Sequence, residues 1–490
     1  MGLMRFISTP DRIGDDTIEQ AYLSGFDRIP WQVETRRVDG GLQLERLTSD
    51  SGSLHIPWAV EGHGRVTLST ATLMERPKPY HLPLELARGK LGQVRNQQAD
   101  WEMIGLTVPA EVRDKVAESL GHFAQAAVID HHSERSINLA DEAVRLALDA
   151  ANMLSACYAE QVLGGRREDA RRLGTFLGVD LGISRLDDRT ARQTSETFNA
   201  ANVPLVWREI ETTQGHYHWD LVDEQMAWCQ AEGLTVSCGP LLQFDARSFP
   251  DWLALYEDDF DSLLSFASEF VKAAVRRYRG RVDVWQCAGR VNTADVFSLS
   301  EEEKVRMAAR AIELARALDA DSPLLMAFDQ PWAEYLSHKE LDFPPLHIAD
   351  ALARANLGLS GLMLEINVGY HPGGTLLRDP LEFGRQLDYW SLLGLPLFVS
   401  LCVPSADHDD PLAQRQTKFE PGSWTPAIQE SWVRRYVPLL LAKPYVHGIH
   451  WSQLRDSEPH DFPHGGLFDL RRHPKPALRQ LASLRQAHLK

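Results

Sequence analysis

Cysteine is scarce in this chain: 490 residues contain five, at Cys157, Cys229, Cys238, Cys287 and Cys402. The number is odd, the spacing wide, and most lie in apolar runs. That excludes a disulfide framework and a zinc site of closely spaced thiolates, and fits buried free thiols. Long hydrophobic runs are also missing, with no stretch of about 18 apolar residues, so no membrane-spanning helix is expected. The opening "MGLMRFISTPDRIGDD" has no apolar segment of the secretory type, and its Ser8 does not fit the myristoylation spacing, so the expected location is cytoplasmic. Positive charge is in deficit. Against 68 Asp and Glu there are 51 Lys and Arg, a net charge of −17, which argues against a nucleic-acid or anionic-membrane surface and for neutral partners.

What is present is ordinary for a globular chain, 44% hydrophobic and 24% charged. The length predicts two or three domains, with room for a barrel of ~250 residues. Residues 1–105 carry short alternating runs, "GLQLERL", "GSLHIPWAV" and "GRVTLSTATL", separated by turn residues, and predict a small β-sandwich-like domain. Residues 106–168 change to helical spacing, with two amphipathic runs joined by the polar "DHHSERS", and predict a helical connector. The basic "GGRREDARR" near Gly164 marks a candidate boundary.

From 169 to 490, β-type and helix-type runs alternate about eight times. The strand candidates are "GTFLGVDL", "VPLVWREI", "LTVSCGPLLQF", "VDVWQCAG", "PLLMAFDQ", "LSGLMLEINVGY", "LPLFVSLCV" and "VHGIHWSQL". Near-continuous apolar strands between amphipathic helices predict a parallel sheet covered on both faces, a (β/α)8 TIM barrel of the α/β class.

Within this region "YRGRVDVWQCAGR" resembles the fourth strand of glycoside hydrolase family 10, the endo-β-1,4-xylanase family, where Y-x-G-x-V-x-x-W-D-V-V-N-E ends in the acid/base glutamate. The likeness runs from about Gly174 to Leu481. Trp207, Glu211, Gly215, Trp219 and Asp223 fall in the pattern W-x-x-x-E-P-x-x-G-x-F-x-F-x-x-A-D. Pro250 and Trp252 follow the third-strand pattern, Asp329 takes the Asp of the fifth-strand N-D-Y, "LLGLPLFVSLCV" resembles the seventh strand, and "GLFDLRRHPKPALRQL" the family's closing segment. The resemblance implies a glycosidase acting on a β-linked poly- or oligosaccharide of xylan type, with carbohydrate as partner and no cofactor.

The departures fall on the chemistry. Gly289 and Arg290 stand where Asn-Glu would be, the nucleophile aligns with Leu401, and Gly239, Gln243, Phe244 and Val206 replace substrate-binding residues. Retention at a glycosidic carbon needs two carboxyl groups ~5–5.5 Å apart. Arginine gives up no proton near neutral pH and leucine cannot attack.

Other carboxylates sit at strand ends, where barrels of this kind do chemistry. Glu365 interrupts the apolar "GLMLEINVGY" and is followed by Asn367, Tyr370 and His371. It is the first candidate for a relocated catalytic carboxylate, or else half of a buried ion pair with Arg208 or Arg290. Asp329 is its candidate partner, or else a cap of backbone N–H groups before Pro331. Glu334 and Glu209 are further acids near strand ends. Trp207, Trp332 and Trp451 are candidate sugar-stacking residues, with Gln243, Asn367 and Gln453 as hydroxyl partners and Arg290, Tyr370 and His371 as further substrate-binding candidates; Trp285 reads as barrel packing. His447, His450, His460 and His464 show no metal-ligand spacing. Trp31, Trp58, Tyr80 and Trp101 either form a stacking surface on the β-domain or fill its core. The competing expectation is a silent glycan-binding or scaffolding protein that kept the barrel and lost the acid.

Overall fold

Eight parallel strands form in the carboxy-terminal region: Phe176–Val179, Ala200–Val203, Thr235–Cys238, Val284–Gly289, Leu324–Asp329, Gly361–Asn367, Leu397–Cys402 and Val446–Trp451. Seven fall in the expected runs, but the second lies ahead of "VPLVWREI", of which only Val203 is in the strand and Trp207–Ile210 is a helical turn. The computed structural model describes residues 2–8, 12–130, 133–169, 172–420 and 422–490. His131 and His132 of the polar helix link, and Ala170 and Arg171 of the basic run, lie outside the described residues.

Strands two to eight pair in sequence, and the eighth returns to the first through the Trp451–Val179 register. The circle is completed between the first two by a bridge from Asp180 to Asn202, where the Leu181 N–H donates to the Asn202 carbonyl at 3.0 Å. This is the expected (β/α)8 barrel. Covered on both faces, its strands need apolar side chains inside and out, so every residue of the fourth, fifth and seventh is buried. Val284, Leu325, Ala327, Met363 and Phe398, with Phe176, fill the interior.

The helices between the strands start where local chemistry supplies acceptors for their free N–H groups. Asp259 accepts from Ser262 at the head of Phe260–Tyr278, and Ser300 forms a reciprocal capping box with Glu303 at the head of Glu301–Leu318. Proline leads Pro345–Arg354, Pro426–Ala442 and Pro476–His488, where its missing N–H costs nothing.

A second compact unit comprises Met1–Gly165 together with Trp332–Leu341 and Leu376–Asp388; the barrel unit holds the rest of the chain. It contains two four-stranded sheets. One runs Glu34–Val38, Gly41–Arg46, Gly2–Ile7, Tyr80–His81, the other Pro30–Trp31, Tyr22–Ser24, Ser53–Val60, Gly64–Ser69. Met4, Phe6, Leu42 and Leu44 of the first share one core with Leu23, Leu54, Ile56 and Leu68 of the second, the sandwich that the period-two runs predict. The helix Leu82–Met103 begins inside the stretch read as β, with Pro83 in its first turn. Two more helices, Ala110–Val128 and Glu134–Asp169, follow.

The aromatic residues singled out from the sequence of this unit are packed. Trp58, Tyr80 and Trp101 are buried, Trp101 stacks on Tyr158 at 4.2 Å, and the Arg46 guanidinium lies 4.3 Å from the Trp31 ring. No helix among the described residues is long and apolar enough to cross a membrane.

Candidate functional site at the carboxyl ends of the strands

The fourth strand ends at Gly289, and Arg290 then takes a left-handed backbone conformation with φ 62°. Such a conformation is uncommon for a side chain of this size and persists only where the surroundings enforce it. Here they do, because three carboxylates converge on the guanidinium. Arg290 Nη2 lies 2.6 Å from Asp461 Oδ2, Nε 3.1 Å from Glu365 Oε2, and Nη1 3.3 Å from Asp245 Oδ2. Asp245 follows the third strand, Glu365 belongs to the sixth and Asp461 to the loop after the eighth. Arg247 adds a second cation, 2.7 Å from Asp245 and 3.1 Å from Asp461. Arg208 pairs instead with Asp251.

Protonation follows from this arrangement. Burial alone would raise Asp245 and Asp461, but the adjacent arginines outweigh it and hold both below the usual carboxylate range. At Glu365 the balance reverses: burial raises its pKa, the nearby Asp329 adds to the rise, and Arg290 offsets only part of it.

Asp329 pairs in register with Glu365 but is fully buried. Its carboxylate accepts from Asn367 Nδ2 at 3.2 Å and Thr293 Oγ1 at 3.3 Å, with Arg415 Nη1 at 3.5 Å. It does not line the cleft at the barrel mouth.

That cleft, about 290 Å³, is bordered by Asp180, Gln243, Glu365, Ser400, His450 and Trp451 among others, including Arg290, Gln453 and the exposed Glu209. Of the residues singled out in the sequence, the structure therefore gathers Glu365, Arg290, Gln243, Trp451, Gln453 and Glu209 in one place. Trp451 is only 2% exposed, its indole N–H donating to the Gly465 carbonyl at 2.8 Å.

The remaining candidates lie elsewhere. Asn367 supports Asp329, and buried Tyr370 donates to the Pro463 carbonyl at 3.1 Å. His371 is half-buried outside the cleft lining. Trp207 is buried, stacked on Phe270 at 4.8 Å, with its indole bonded to Glu211. Trp332 and Glu334 are counted with the other unit, where Trp332 meets Phe383 edge-on and Glu334 pairs with Arg378 at 2.7 Å.

Several cleft residues were not anticipated as site residues: besides Asp245, Arg247 and Asp461, they include Asp180, His450 and Ser400. Asp180, one position past the first strand, is pushed up to about 6 by burial, despite hydrogen bonds from Asn202 Nδ2 and the Gly182 N–H. His450 is pushed down to about 4 by burial, and its Nδ1 has no hydrogen-bond partner. Ser400, one residue before Leu401, is the seventh-strand residue that borders the cleft. Side chains alternate along a strand, so Leu401, fully buried, is turned the other way. Asp180 was visible in "GTFLGVDL" as a lone acid at a strand tip.

Gly289 has a steric reason to be glycine. A Cβ there would sit 2.5 Å from Gln243 Oε1, 3.3 Å from Pro240 Cγ and 3.4 Å from Glu365 Oε1. Among the described residues, no group of three or more His, Cys, Asp or Glu is placed to hold a metal ion.

No protein-family model and no curated protein matches the chain. Solved structures do. Native xylanase 10B from Thermotoga maritima superposes with a TM-score of 0.50 at 16% identity, covering 65% of this chain and 97% of that one. Xylanase 10B from Thermotoga petrophila RKU-1, solved in complex with xylobiose, gives 0.50 at 15% identity, covering 67% and 96%. The barrel has a family 10 xylanase-like fold. At such identities the likeness speaks for the fold, and the strand tips must speak for the chemistry.

Proposed function

We propose that the barrel mouth is a binding cleft for a β-linked oligosaccharide, and that it does not cleave glycosidic bonds by the two-glutamate route of the family it resembles. One observation carries this reading: the guanidinium of Arg290, the residue that the sequence resemblance aligns with the family's acid/base glutamate, is committed to three carboxylates. A permanently charged group cannot protonate a leaving oxygen. Glu365 and Asp245 are correspondingly occupied as its counter-ions. What is left around the cleft, amides at Gln243 and Gln453, hydroxyls at Ser400, and a neutral imidazole at His450, suits a ligand rich in hydroxyl groups.

A second reading is favoured by a different observation. Glu365 and Asp180 border the same cleft, and both are shifted upward, the direction a general acid requires. In this reading the chain is a glycosidase with relocated carboxylates. Glu365 is the carboxylate in contact with substrate, and Asp329 supports it from behind through its charge.

Calorimetric titration with xylohexaose and a panel of β-linked gluco-, manno- and galacto-oligosaccharides, with product analysis on the same samples, separates the two. Saturable binding without new reducing ends supports the binding cleft. Cleavage that Glu365→Gln abolishes while binding persists transfers the assignment to the second reading. Absence of binding across the panel overturns both.

A further inference from the structure

The loops that follow the seventh and eighth strands form one wall of the cleft and are tied together by backbone hydrogen bonds. The Gln414 N–H donates to the His460 carbonyl at 2.8 Å, the His460 N–H to the Leu412 carbonyl at 3.2 Å, and the Arg415 N–H to the Asp461 carbonyl at 2.9 Å. Gln414, His460 and Asp461 all border the cleft.

At the centre of this seam lies Asp410, whose side chain is 1% exposed. Its carboxylate accepts from the Leu412 N–H at 3.1 Å and the His464 N–H at 2.9 Å, and its Oδ2 lies 3.0 Å from His460 Nε2. The other ring nitrogen, Nδ1, lies 2.7 Å from the Glu458 carbonyl oxygen. Both neighbours of this ring are acceptors without a proton of their own. A neutral imidazole has one N–H and would turn a lone pair toward one of those oxygens. Only the imidazolium satisfies both at once, and the residue is 8% exposed, so water cannot easily substitute.

We propose that protonated His460 is a clasp that holds this wall of the cleft in place, and that loss of its proton frees the 408–415 segment. The direction of its titration agrees. Burial would lower its pKa, but the hydrogen bond and charge of Asp410, the Glu458 carbonyl and the charge of Asp456 raise it above the ordinary value.

The other ionisable groups around the ring are accounted for. His464 Nδ1 lies 3.5 Å from the same Asp410 oxygen, its Nε2 2.8 Å from the His408 carbonyl, and its ring 4.3 Å from that of His408. Asp461 is held by Arg290 and Arg247, Glu458 by Arg455, and Asp456 by Lys475. For a base whose folded pKa is raised, stabilisation is fully present below the unfolded value and is lost as pH rises through the folded one. The clasp is therefore closed in mild acid and opens in alkali.

Nuclear magnetic resonance of the full chain tests this through the ring nitrogens of His460 and through exchange of the Gln414 and Arg415 amides. Both ring nitrogens are expected to carry protons at pH 6. After correction for intrinsic exchange, protection of the two amides should fall between pH 6 and pH 9. In Asp410→Asn the protection should be lower at pH 6 and no longer depend on pH. A neutral His460 ring at pH 6 in the wild-type chain, or equal protection at both pH values, overturns the clasp.

Discussion

Arg290 Nε lies 3.1 Å from Glu365 Oε2, so the tip of the fourth strand reaches past the fifth to a carboxylate on the sixth. The guanidinium and this carboxylate are thereby joined into one ion pair, with Asp245 and Asp461 completing its surroundings.

Removing the cation exposes what it offsets. Arg290→Gln leaves three largely buried carboxylates short of a counter-charge and should destabilise the barrel by about 3–5 kcal/mol at pH 7. Asp245 and Asp461 have depressed values in the native state, so the stability they contribute is present at neutral pH and lost as pH falls through the carboxylate range. The deficit of the variant should accordingly be smaller at about pH 2.5, below the unfolded carboxylate value of about 3.9, than at pH 7. Urea denaturation at both pH values measures it, and a constant deficit would show that the arginine acts through packing alone.

Gly289 supplies a second test. Gly289→Ala places a methyl group against Gln243 Oε1 and should cost about 1–3 kcal/mol. In a Gln243→Ala background the cost should fall, giving a coupling of about 0.5 kcal/mol or more in a double-mutant cycle followed by thermal unfolding. Additive effects would mean that the backbone shifts to make room.

His450 should contribute to acid sensitivity. Its value is pushed down to about 4, so between the unfolded value near 6.5 and pH 4 the unfolded chain takes up a proton that the folded one refuses. Stability then drops as pH falls across that window, by an amount on the order of 3 kcal/mol from this one group. His450→Gln should flatten the slope between pH 6.5 and 4 relative to wild type, as read from denaturant midpoints. An unchanged slope would mean that the ring titrates normally.

The barrel was legible because each strand is buried on two faces and so reads as an unbroken apolar run, as in "VDVWQCAG" and "PLLMAFDQ". Glu365, a charged residue interrupting such a run, stood out for the same reason, whereas Arg290 stood out through the resemblance of the strand before it; their pairing was one of the alternatives the sequence offered. The rest of the site was not legible. Asp245 and Asp461 lie on loops 216 residues apart, and nothing local distinguishes them from solvated acids; only barrel closure brings both to one guanidinium. Ser400 was passed over because the aligned position fell on Leu401, and a one-residue difference along a strand decides which face a side chain takes. In the amino-terminal unit, "GLQLERL" and "GSLHIPWAV" announced strands by alternation, whereas the helix from Leu82 was hidden by its apolar first turn "LPLEL".

The unit containing the two sheets is assembled from three separate lengths of chain, with Trp332–Leu341 and Leu376–Asp388 supplied from far downstream. Arg378 ties those lengths to the first, pairing with Glu334 and hydrogen-bonding to the Tyr22 hydroxyl at 2.8 Å. No single proteolytic cut can therefore release it intact, and severing the backbone near residue 165 would yield an amino-terminal fragment that lacks two of the three lengths from which its unit is built.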